Sequence, residues 1–422
     1  MSHLVISENG ELSGDDVVAA DRLRVPGFIN AHSHAFQRAL RGRVELRSKD
    51  HPDDDFWSWR EAMYGIANRV SVDDVEALAA WAYLDMLRAG FVAVGEFHYL
   101  HHDVDGRAFA DPLAMSRALV RAADHVGMRL VLLQTAYARG GFDRPLTSGQ
   151  RRFGFASVEG YLDHVARARA ELTSSSTSIG YAVHSVRACP RDWIEAIAAR
   201  ADDDDAVLHV HACEQRAEVE TCKSATGMTP IALLEACGAL SPRTTIVHGT
   251  HLDDEDIALL ARRGCTVCIT PSTERNLGDG LCRIADLAAA DVAICVGTDS
   301  HARIDVVDEL RSLEDHERLR LQRRNVLTSP GGRLGQAVMP AGTANGRRSL
   351  GLDAAFGHVD VAMPIEGRAA GAAVGLDAWL VGGSSRDVVD VVGHRGTVDV
   401  ALVDDVTARA LAVLTRLSTG SP

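Results

Sequence analysis

The stretch PGFINAHSHAFQRALRG, residues 26–42, contains a short apolar run that ends in two histidines, His32 and His34. The run predicts a buried strand over 27–34. Side chains two residues apart on a strand point to the same face, so both imidazoles can reach one point beyond the end of the strand. The pair alone is a weak signal, because two surface or core histidines at this spacing are as common as a metal site.

Seven further apolar runs follow, each with a loop and a helix-like segment after it. The predicted strands are 27–34, 91–97, 129–137, 178–185, 206–213, 244–250, 265–270 and 292–300. Strands that alternate with helices form parallel sheets, and eight such units favour an α/β fold with a closed (β/α)₈ barrel of the TIM type. Active sites of this fold lie at the carboxyl ends of the strands, where His32 and His34 stand.

Capping residues and terminating glycines support the alternation of strands with helices. Ser71 can cap a helix that begins with two acids and is stopped by Gly90. Acids at 253–255 open a second helix that ends at Gly264, and Pro230 suits the first turn of a helix over 231–239.

The two ends of the chain lack the alternation of strands and helices that marks its middle. Residues 26–342 are expected to form the barrel, and residues 1–25 together with 343–422 a small β-sandwich subdomain that is shorter than usual for this architecture. Alternation in DAWLVGG (377–383), DVVDVV (387–392) and VDVALVDD (398–405) predicts strands there. A helix over 407–417 is expected to complete this subdomain.

The composition excludes several classes of protein. The chain has 422 residues, 46% of them hydrophobic, and a formal net charge of −14. The acidic balance argues against a nucleic-acid partner, although local arginines in a cleft can still hold an anionic small molecule. No apolar run approaches the ~20 residues of a membrane-spanning helix, and residues 1–21 lack a secretory pattern. Eight scattered cysteines predict reduced thiols in a cytoplasmic protein, with the Cys265–Cys268 pair in the core.

Titratable residues follow four of the predicted strands, which is the pattern of a catalytic metal site. The predicted metal ligands are His32, His34, His211 and Asp299. Glu214 lies just beyond the fifth strand and suits a proton shuttle, and His248 at the tip of the sixth can polarise a substrate. Each residue alone is compatible with an ordinary hydrogen-bonded histidine or a helix cap. Their shared position at strand tips, in barrel order, favours a site.

Longer motifs carry a resemblance. They are FWSWREAMY (56–64), GEFHYLHH (95–102), HVHACEQ (209–215), TPSTERNLGDG (270–280) and GTDSHARIDVVDELRSLE (297–314), together with residues 26–42. With them the sequence resembles the amidohydrolase superfamily, and within it the formimidoylglutamate deiminases of histidine degradation. The segment 181–187 has no lysine to bridge two metals, which points to the mononuclear branch.

The resemblance implies a reaction and a set of residues. The reaction is hydrolysis of N-formimino-L-glutamate to N-formyl-L-glutamate and ammonia, with one Zn²⁺ per chain on the four ligands above and a homodimer as the assembly. Iron or manganese suits the same ligands. The implied catalytic residues are Glu214, His248 and Asp299, and the implied substrate-binding residues are Gln37, Arg60, Tyr99, His184 and Arg187.

The chemistry of the substrate supports a binding role for Arg60 and Arg187. A guanidinium binds a carboxylate through two hydrogen bonds, and this substrate has two carboxylates. Without the resemblance, Arg60 and Arg187 would be interpreted as surface or salt-bridged arginines.

A related deaminase that acts on a nucleobase or another amidine is an alternative function. Such an enzyme would have little need for Arg60 and Arg187. A non-enzymatic scaffold should have lost metal ligands, and a structural zinc site would have its ligands close together in sequence. Arg275 stands in the loop after the seventh predicted strand, where a small residue is expected. Its larger side chain is expected to adjust the substrate pocket.

Overall fold

The computed structural model of the protein describes residues 3–13, 21–46, 55–393 and 400–419. The strands in these ranges are β1 (His3–Ile6), β2 (Leu12–Ser13), β3 (Arg22–Pro26), β4 (Phe28–Ser33), β5 (Phe91–His98), β6 (Arg129–Ala136), β7 (Thr177–Ser185), β8 (Leu208–Ala212), β9 (Thr244–His248), β10 (Thr266–Ile269), β11 (Ala293–Val296), β12 (His358–Ala362) and β13 (Val388–Val392). Strands β4–β11 form one sheet and the others a second.

The helices surround these sheets. They are α1 (Phe56–Ala67), α2 (Val72–Arg88), α3 (Ala114–Val126), α4 (Val158–Leu172), α5 (Arg191–Asp203), α6 (Arg216–Thr226), α7 (Pro230–Ala236), α8 (Asp254–Arg263), α9 (Pro271–Leu277), α10 (Ile284–Ala289), α11 (Val306–Leu321), α12 (Leu334–Gly342), α13 (Ala344–Ser349), α14 (Ile365–Ala370), α15 (Ala372–Gly382) and α16 (Val400–Thr419). Short 3₁₀ turns cover Ala35–Leu40, Ser148–Phe153 and Ser385–Asp387. None of the helices in the described ranges combines the length and the apolar character that a membrane span requires.

The larger sheet is the predicted barrel. Its eight strands are parallel and follow one another in chain order, and each overlaps one of the eight predicted strands. The first and last strands meet through a bridge between Ser33 and Asp299, where the Asp299 amide donates to the His32 carbonyl over 3.0 Å. The prediction of a (β/α)₈ barrel is therefore confirmed, and its closure brings the first and last ligand-bearing segments together.

The helix boundaries follow from their capping residues. Helix α2 begins after Ser71, whose hydroxyl accepts from the Asp74 amide, and Gly90 follows its end as predicted. Helix α8 lies between Asp253 and Gly264, which adopts the left-handed conformation that glycine favours at helix ends. Helix α7 ends at Ala236, three residues earlier than expected.

A five-stranded sheet joins the two ends of the chain in the order β13-β12-β3-β1-β2, so the small β subdomain exists. The segment 387–392 forms a strand there as predicted, because it contains β13. Residues 1–2, 14–20 and 394–399 lie outside the described residues. The chain divisions at 25/26 and 342/343 stay predictions.

Two strands predicted in the C-terminal region are wrong. Residues 377–382 belong to helix α15, which buries Leu376, Trp379 and Leu380 at helical spacing, and the Trp379 ring lies 6.1 Å from that of Phe28. Residues 400–405 open helix α16, whose buried side chains Val406, Ala410, Val413 and Leu417 also recur at helical spacing. A run of seven or eight mixed residues satisfies a strand period and a helix period equally, and packing decides between them.

Candidate active site

Four side-chain atoms converge at the carboxyl ends of the barrel strands. His32 Nε2 lies 3.2 Å from His34 Nε2 and 3.1 Å from His211 Nε2. Asp299 Oδ1 lies 3.3 Å from Nε2 of both His32 and His34. Strand β4 supplies His32, and His34 follows directly after its last residue; β8 supplies His211, and the segment after β11 supplies Asp299. Residues as far as 267 positions apart in the chain, His32 and Asp299, are thus placed around one point.

Backbone carbonyls fix the orientation of two of these imidazoles. His34 Nδ1 donates to the Phe97 carbonyl over 2.8 Å, and His211 Nδ1 donates to the His184 carbonyl over 3.0 Å. A proton on Nδ1 leaves the Nε2 lone pair facing the cluster, which is the state in which histidine binds metals. Burial lowers the pKa of all three imidazoles below the usual range, so they are neutral at pH 7.

This donor set fits a divalent metal ion. Nitrogen and oxygen ligands that share an ion at about 2.1 Å lie roughly 3 to 3.4 Å apart, close to the separations of 3.1 Å and 3.3 Å found here. The three histidines can therefore hold a metal. Burial acts to raise the pKa of Asp299, but its hydrogen bond with His32 and the other imidazoles hold it well below the usual range. The carboxylate is thus ionised, as a metal ligand must be.

A row of three ionisable side chains lies beside the cluster. His248 Nε2 is 3.7 Å from Glu214 Oε1, and His248 Nδ1 is 3.7 Å from Glu274 Oε1. The imidazole of His248 also stacks on that of His211 at a ring separation of 5.4 Å. Burial alone would lower the pKa of His248, but its carboxylate neighbours raise it to about 10. Burial raises the pKa of Glu214. At neutral pH the imidazole is therefore a cation, and the glutamate can carry a proton.

The backbone at this site is strained at two of the predicted residues. His248 has φ of 73° and Asp299 has φ of 46°, both in the left-handed region. Such a conformation costs a residue other than glycine about 1–3 kcal/mol and is found most often at functional sites. Both residues stand where a barrel strand turns sharply into its loop.

All five predicted substrate-binding side chains line one cavity with the cluster. The wall contains Gln37, Arg60, Tyr99, His184 and Arg187 together with His34, His211, Glu214, His248 and Asp299. Gln37 Nε2 donates to the Tyr99 hydroxyl over 2.8 Å, and Gln37 Oε1 is buried with no hydrogen-bond partner among the residues that the structure describes. The ring of His184 packs 4.6 Å from that of Tyr137. A buried acceptor on the cavity wall is available to a ligand.

The two arginines have no strong partner of their own. In the described parts of the chain, the Arg60 guanidinium meets only the exposed carboxylate of Glu61 at 3.9 Å, and its Nε is buried without a partner. No ion pair or hydrogen bond of the Arg187 guanidinium is found among those residues. Both guanidinium groups lie over the ring of Trp57, at 4.5 Å and 5.7 Å. An aromatic ring orients a cation without neutralising it, so two positive charges face the cavity.

Sequence reasoning missed three contributors to the site. Trp57 stands three residues before Arg60 on α1, a spacing that places both on one helix face. Glu274 lies in the motif 270–280, but nothing in that motif marks it as the neighbour of His248. Glu218, one helical turn after Glu214, lines the cavity and accepts a hydrogen bond from the Glu214 amide over 3.1 Å. Trp57 and Glu218 could have been found from their spacing to Arg60 and Glu214, whereas Glu274 could not.

Arg275 and His209 both lie outside the cavity wall. Arg275 is not part of the cavity wall: it pairs with Asp308 and donates to Ser312 of α11, so the expectation that it adjusts the pocket is not supported. His209 faces into the barrel as β8 alternates, but its Nε2 bonds the Ser349 carbonyl over 2.8 Å, away from the cluster. It is a core histidine.

A glycine beside His32 gives a prediction about the site. A Cβ at Gly297 would lie 2.8 Å from His32 Cβ and 2.9 Å from the His32 amide nitrogen. We expect Gly297→Ala to displace His32, to lower metal content, and to reduce the free energy of unfolding by about 1–3 kcal/mol. Gly65→Ala is the control, because Gly65 is an exposed residue of helix α1 with no atom within 4 Å of its added Cβ. Metal analysis and denaturant unfolding measure both effects; full metal content and unchanged stability in Gly297→Ala would refute the expectation.

Comparison with known proteins agrees with this geometry. The sequence model of the amidohydrolase family matches residues 23–362. The formimidoylglutamate deiminase of Pseudomonas aeruginosa is 39% identical over 90% of this chain and 88% of its own length. The 5-methylthioadenosine/S-adenosylhomocysteine deaminase of Haloarcula marismortui is 29% identical over 83% of this chain and 74% of its own.

A solved structure extends the similarity to the whole fold. The crystal structure of an amidohydrolase from Brucella melitensis superposes with a TM-score of 0.86 at 32% identity and covers 99% of this chain and 98% of that one. The likeness therefore includes the small sheet as well as the barrel. With the family match, the identity over most of the chain and the histidine cluster at the strand ends, the protein is a hydrolase that belongs to the amidohydrolase family.

Proposed function

We propose that this chain is a zinc-dependent deiminase that hydrolyses N-formimino-L-glutamate to N-formyl-L-glutamate and ammonia, a reaction of histidine degradation. The observation that carries the proposal is the pair of unpaired guanidinium groups, Arg60 and Arg187, on the wall of the metal-binding cavity. The relative from Pseudomonas aeruginosa, a formimidoylglutamate deiminase, supports the same substrate.

The two arginines account for recognition of a dicarboxylate. Each guanidinium offers a fork of N–H donors that matches one carboxylate, and a buried cation without a partner gains most from such a ligand. Burial acts to lower the pKa of Arg187, but Glu218, Tyr137 and Glu214 raise it overall, so the residue stays charged. 5-Methylthioadenosine, one of the two compounds named for the Haloarcula marismortui relative, has no carboxylate and would pair with neither guanidinium.

The metal would be held by His32, His34, His211 and Asp299. A bound divalent ion would lower the pKa of a coordinated water toward neutrality and so make the nucleophile available. We infer zinc, one ion per chain, because three imidazoles and a carboxylate suit it; iron and manganese accept the same ligands.

The chain's own residues then move the protons. Asp299, ionised in the folded protein, accepts a proton from the attacking water. Glu214, whose pKa is raised by burial, donates a proton to the imino nitrogen as water adds. It then carries the hydroxyl proton of the tetrahedral centre to the same nitrogen, which leaves as ammonia while the formyl C=O forms. The proton held by Asp299 restores Glu214 for the next cycle. The cation of His248 stabilises negative charge on the tetrahedral carbon centre, and Glu274 keeps that imidazole charged and oriented.

Analogues that lack one carboxylate test this assignment. N-formimino-4-aminobutyrate lacks the α-carboxylate, and N-formimino-L-2-aminobutyrate lacks the side-chain carboxylate. Loss of one charged pair should lower kcat/KM by about 10- to 150-fold for each analogue relative to N-formimino-L-glutamate. Equal kcat/KM for all three compounds would exclude dicarboxylate recognition.

Replacement of the arginines gives a second prediction. Arg187→Gln and Arg60→Gln should each raise KM for N-formimino-L-glutamate by about tenfold or more with a smaller change in kcat, because the lost contacts are made before and during the reaction. Arg167→Gln is the control, since Arg167 forms an exposed pair with Glu171 on α4. Steady-state kinetics measures the effect, and a KM in both cavity variants equal to that of Arg167→Gln would remove the role.

The homodimer and the cytoplasmic location that the sequence suggests remain predictions of the same proposal.

A further inference from the structure

A second cavity, of about 540 Å³, opens beside the barrel and shares no lining residue with the metal-binding cavity. It lies between the end of α2, the turn Ala35–Leu40, the segment after Asp299 and the turn Ser385–Asp387. Its volume falls in the range of small-molecule sites. Five arginines line it, namely Arg38, Arg41, Arg88, Arg303 and Arg386.

The arginines that line this cavity outnumber the carboxylates that line it. Arg38 pairs with Asp85 at 2.5 Å and Arg303 with Asp305 at 3.4 Å. Arg41, Arg88 and Arg386 form no ion pair or side-chain hydrogen bond with any described residue. Five arginines against the two aspartates of the lining leave three uncompensated positive charges, on a chain whose formal net charge is −14. Like charges gathered in one cavity repel one another unless an anion joins them.

One wall of the cavity is rigid. Arg38 is only 4% exposed, lies 4.5 Å over the ring of Trp81, and donates from Nη1 to the His301 carbonyl over 2.9 Å. Its buried Nε has no hydrogen-bond partner among the described residues. A buried guanidinium with a free donor gains from an anionic ligand, and the other four arginines of the lining are exposed at the mouth of the cavity. Two hydroxyl side chains, Ser384 and Ser385, face the same space.

We propose that this arginine cavity binds a phosphate-type oxyanion, either free phosphate or the phosphate group of a small metabolite. Arginine forks and serine hydroxyls are the donors that proteins place around phosphate oxygens. The bound anion would be linked to the barrel through Arg38 and His301, because the His301 ring lies 3.1 Å from the hydroxyl of Ser33, the residue between His32 and His34. Occupancy would therefore stabilise the folded enzyme at its closing seam.

Thermal unfolding of the metal-loaded full chain tests the proposal. Phosphate or glycerol phosphate is titrated at constant ionic strength set with sodium chloride, so that screening stays fixed. The Tm should rise and saturate with one or both ligands, and the ligand with the lower half-saturation concentration identifies the source of the phosphate group. The double variant Arg88→Gln/Arg386→Gln should need at least about tenfold more ligand for the same rise. The control Arg324→Gln, an exposed arginine outside the cavity, should behave as the parent protein.

The deiminase reaction provides an internal check, because neither Arg88 nor Arg386 contacts the metal-binding cavity. The double variant should keep the parent kcat/KM in the absence of phosphate. No rise of Tm in the parent protein would overturn the proposal. An equal rise in the parent and the double variant would also overturn it, since the anion would then bind elsewhere, for example at Arg60 and Arg187.

Discussion

Glu214→Gln should lower kcat for N-formimino-L-glutamate by about 10²- to 10⁴-fold while the bound metal stays in place. Glutamine keeps the size and polarity of the side chain but cannot deliver a proton to the leaving nitrogen. Without that proton the nitrogen would have to leave as an anion, which is a poor leaving group. The carboxylate lies 3.7 Å from His248 and is not among the four converging atoms of the cluster, so metal content should not change.

The measurement is steady-state kcat together with metal analysis of the same preparation. Glu220→Gln is the matched control, because Glu220 is an exposed residue of α6 and the change removes the same charge. Its kcat should equal that of the parent protein. A rate for Glu214→Gln near that of Glu220→Gln, with metal bound in both, would remove Glu214 from the mechanism.

His211→Ala should abolish both metal binding and turnover. His211 is the contribution of β8 to the cluster, and its Nε2 lies 3.1 Å from that of His32. Removal of one of three neutral imidazoles leaves too few ligands to hold a divalent ion at ordinary concentrations. Because a ligand that binds only the folded state stabilises it, the variant should also lose the increase of Tm that added zinc gives the parent protein.

His251→Gln separates this effect from the loss of any nearby histidine. His251 follows β9, is half-buried, and its Nε2 bonds the Asp279 carbonyl over 2.9 Å without contact to the cluster. This variant should retain about one metal ion per chain. A His211→Ala protein that keeps its metal and its Tm response would show that the ligand set is wrong.

The barrel could be predicted because its strands are buried on both faces. Runs such as residues 129–137 are almost continuously apolar, and the alternation with helices is local in sequence. His32, His34, His211 and Asp299 could be placed for the same reason: once the strand ends are known, parallel order brings those ends to one edge.

The features of the fold and the site that could not be predicted depend on contacts between residues that are distant in sequence. The helical state of residues 377–382 is decided by packing of Trp379 near Phe28, more than 300 positions earlier, and a window of seven residues does not contain that information. In the same way, Glu274 approaches His248 only because two neighbouring barrel strands place them there. Trp57 can orient the Arg187 guanidinium only because the fold brings Arg187, 130 positions later in the chain, over its ring.

The most direct measurement is ammonia release by the purified, metal-analysed protein from N-formimino-L-glutamate, beside N-formimino-L-aspartate, adenine, guanine and cytosine. The account predicts fast turnover of N-formimino-L-glutamate with N-formyl-L-glutamate as the product, about one zinc per chain, and far slower release from the other compounds. Zinc bound at one per chain, with no turnover of N-formimino-L-glutamate or with faster turnover of a nucleobase, would contradict the substrate while leaving the barrel and its metal cluster intact.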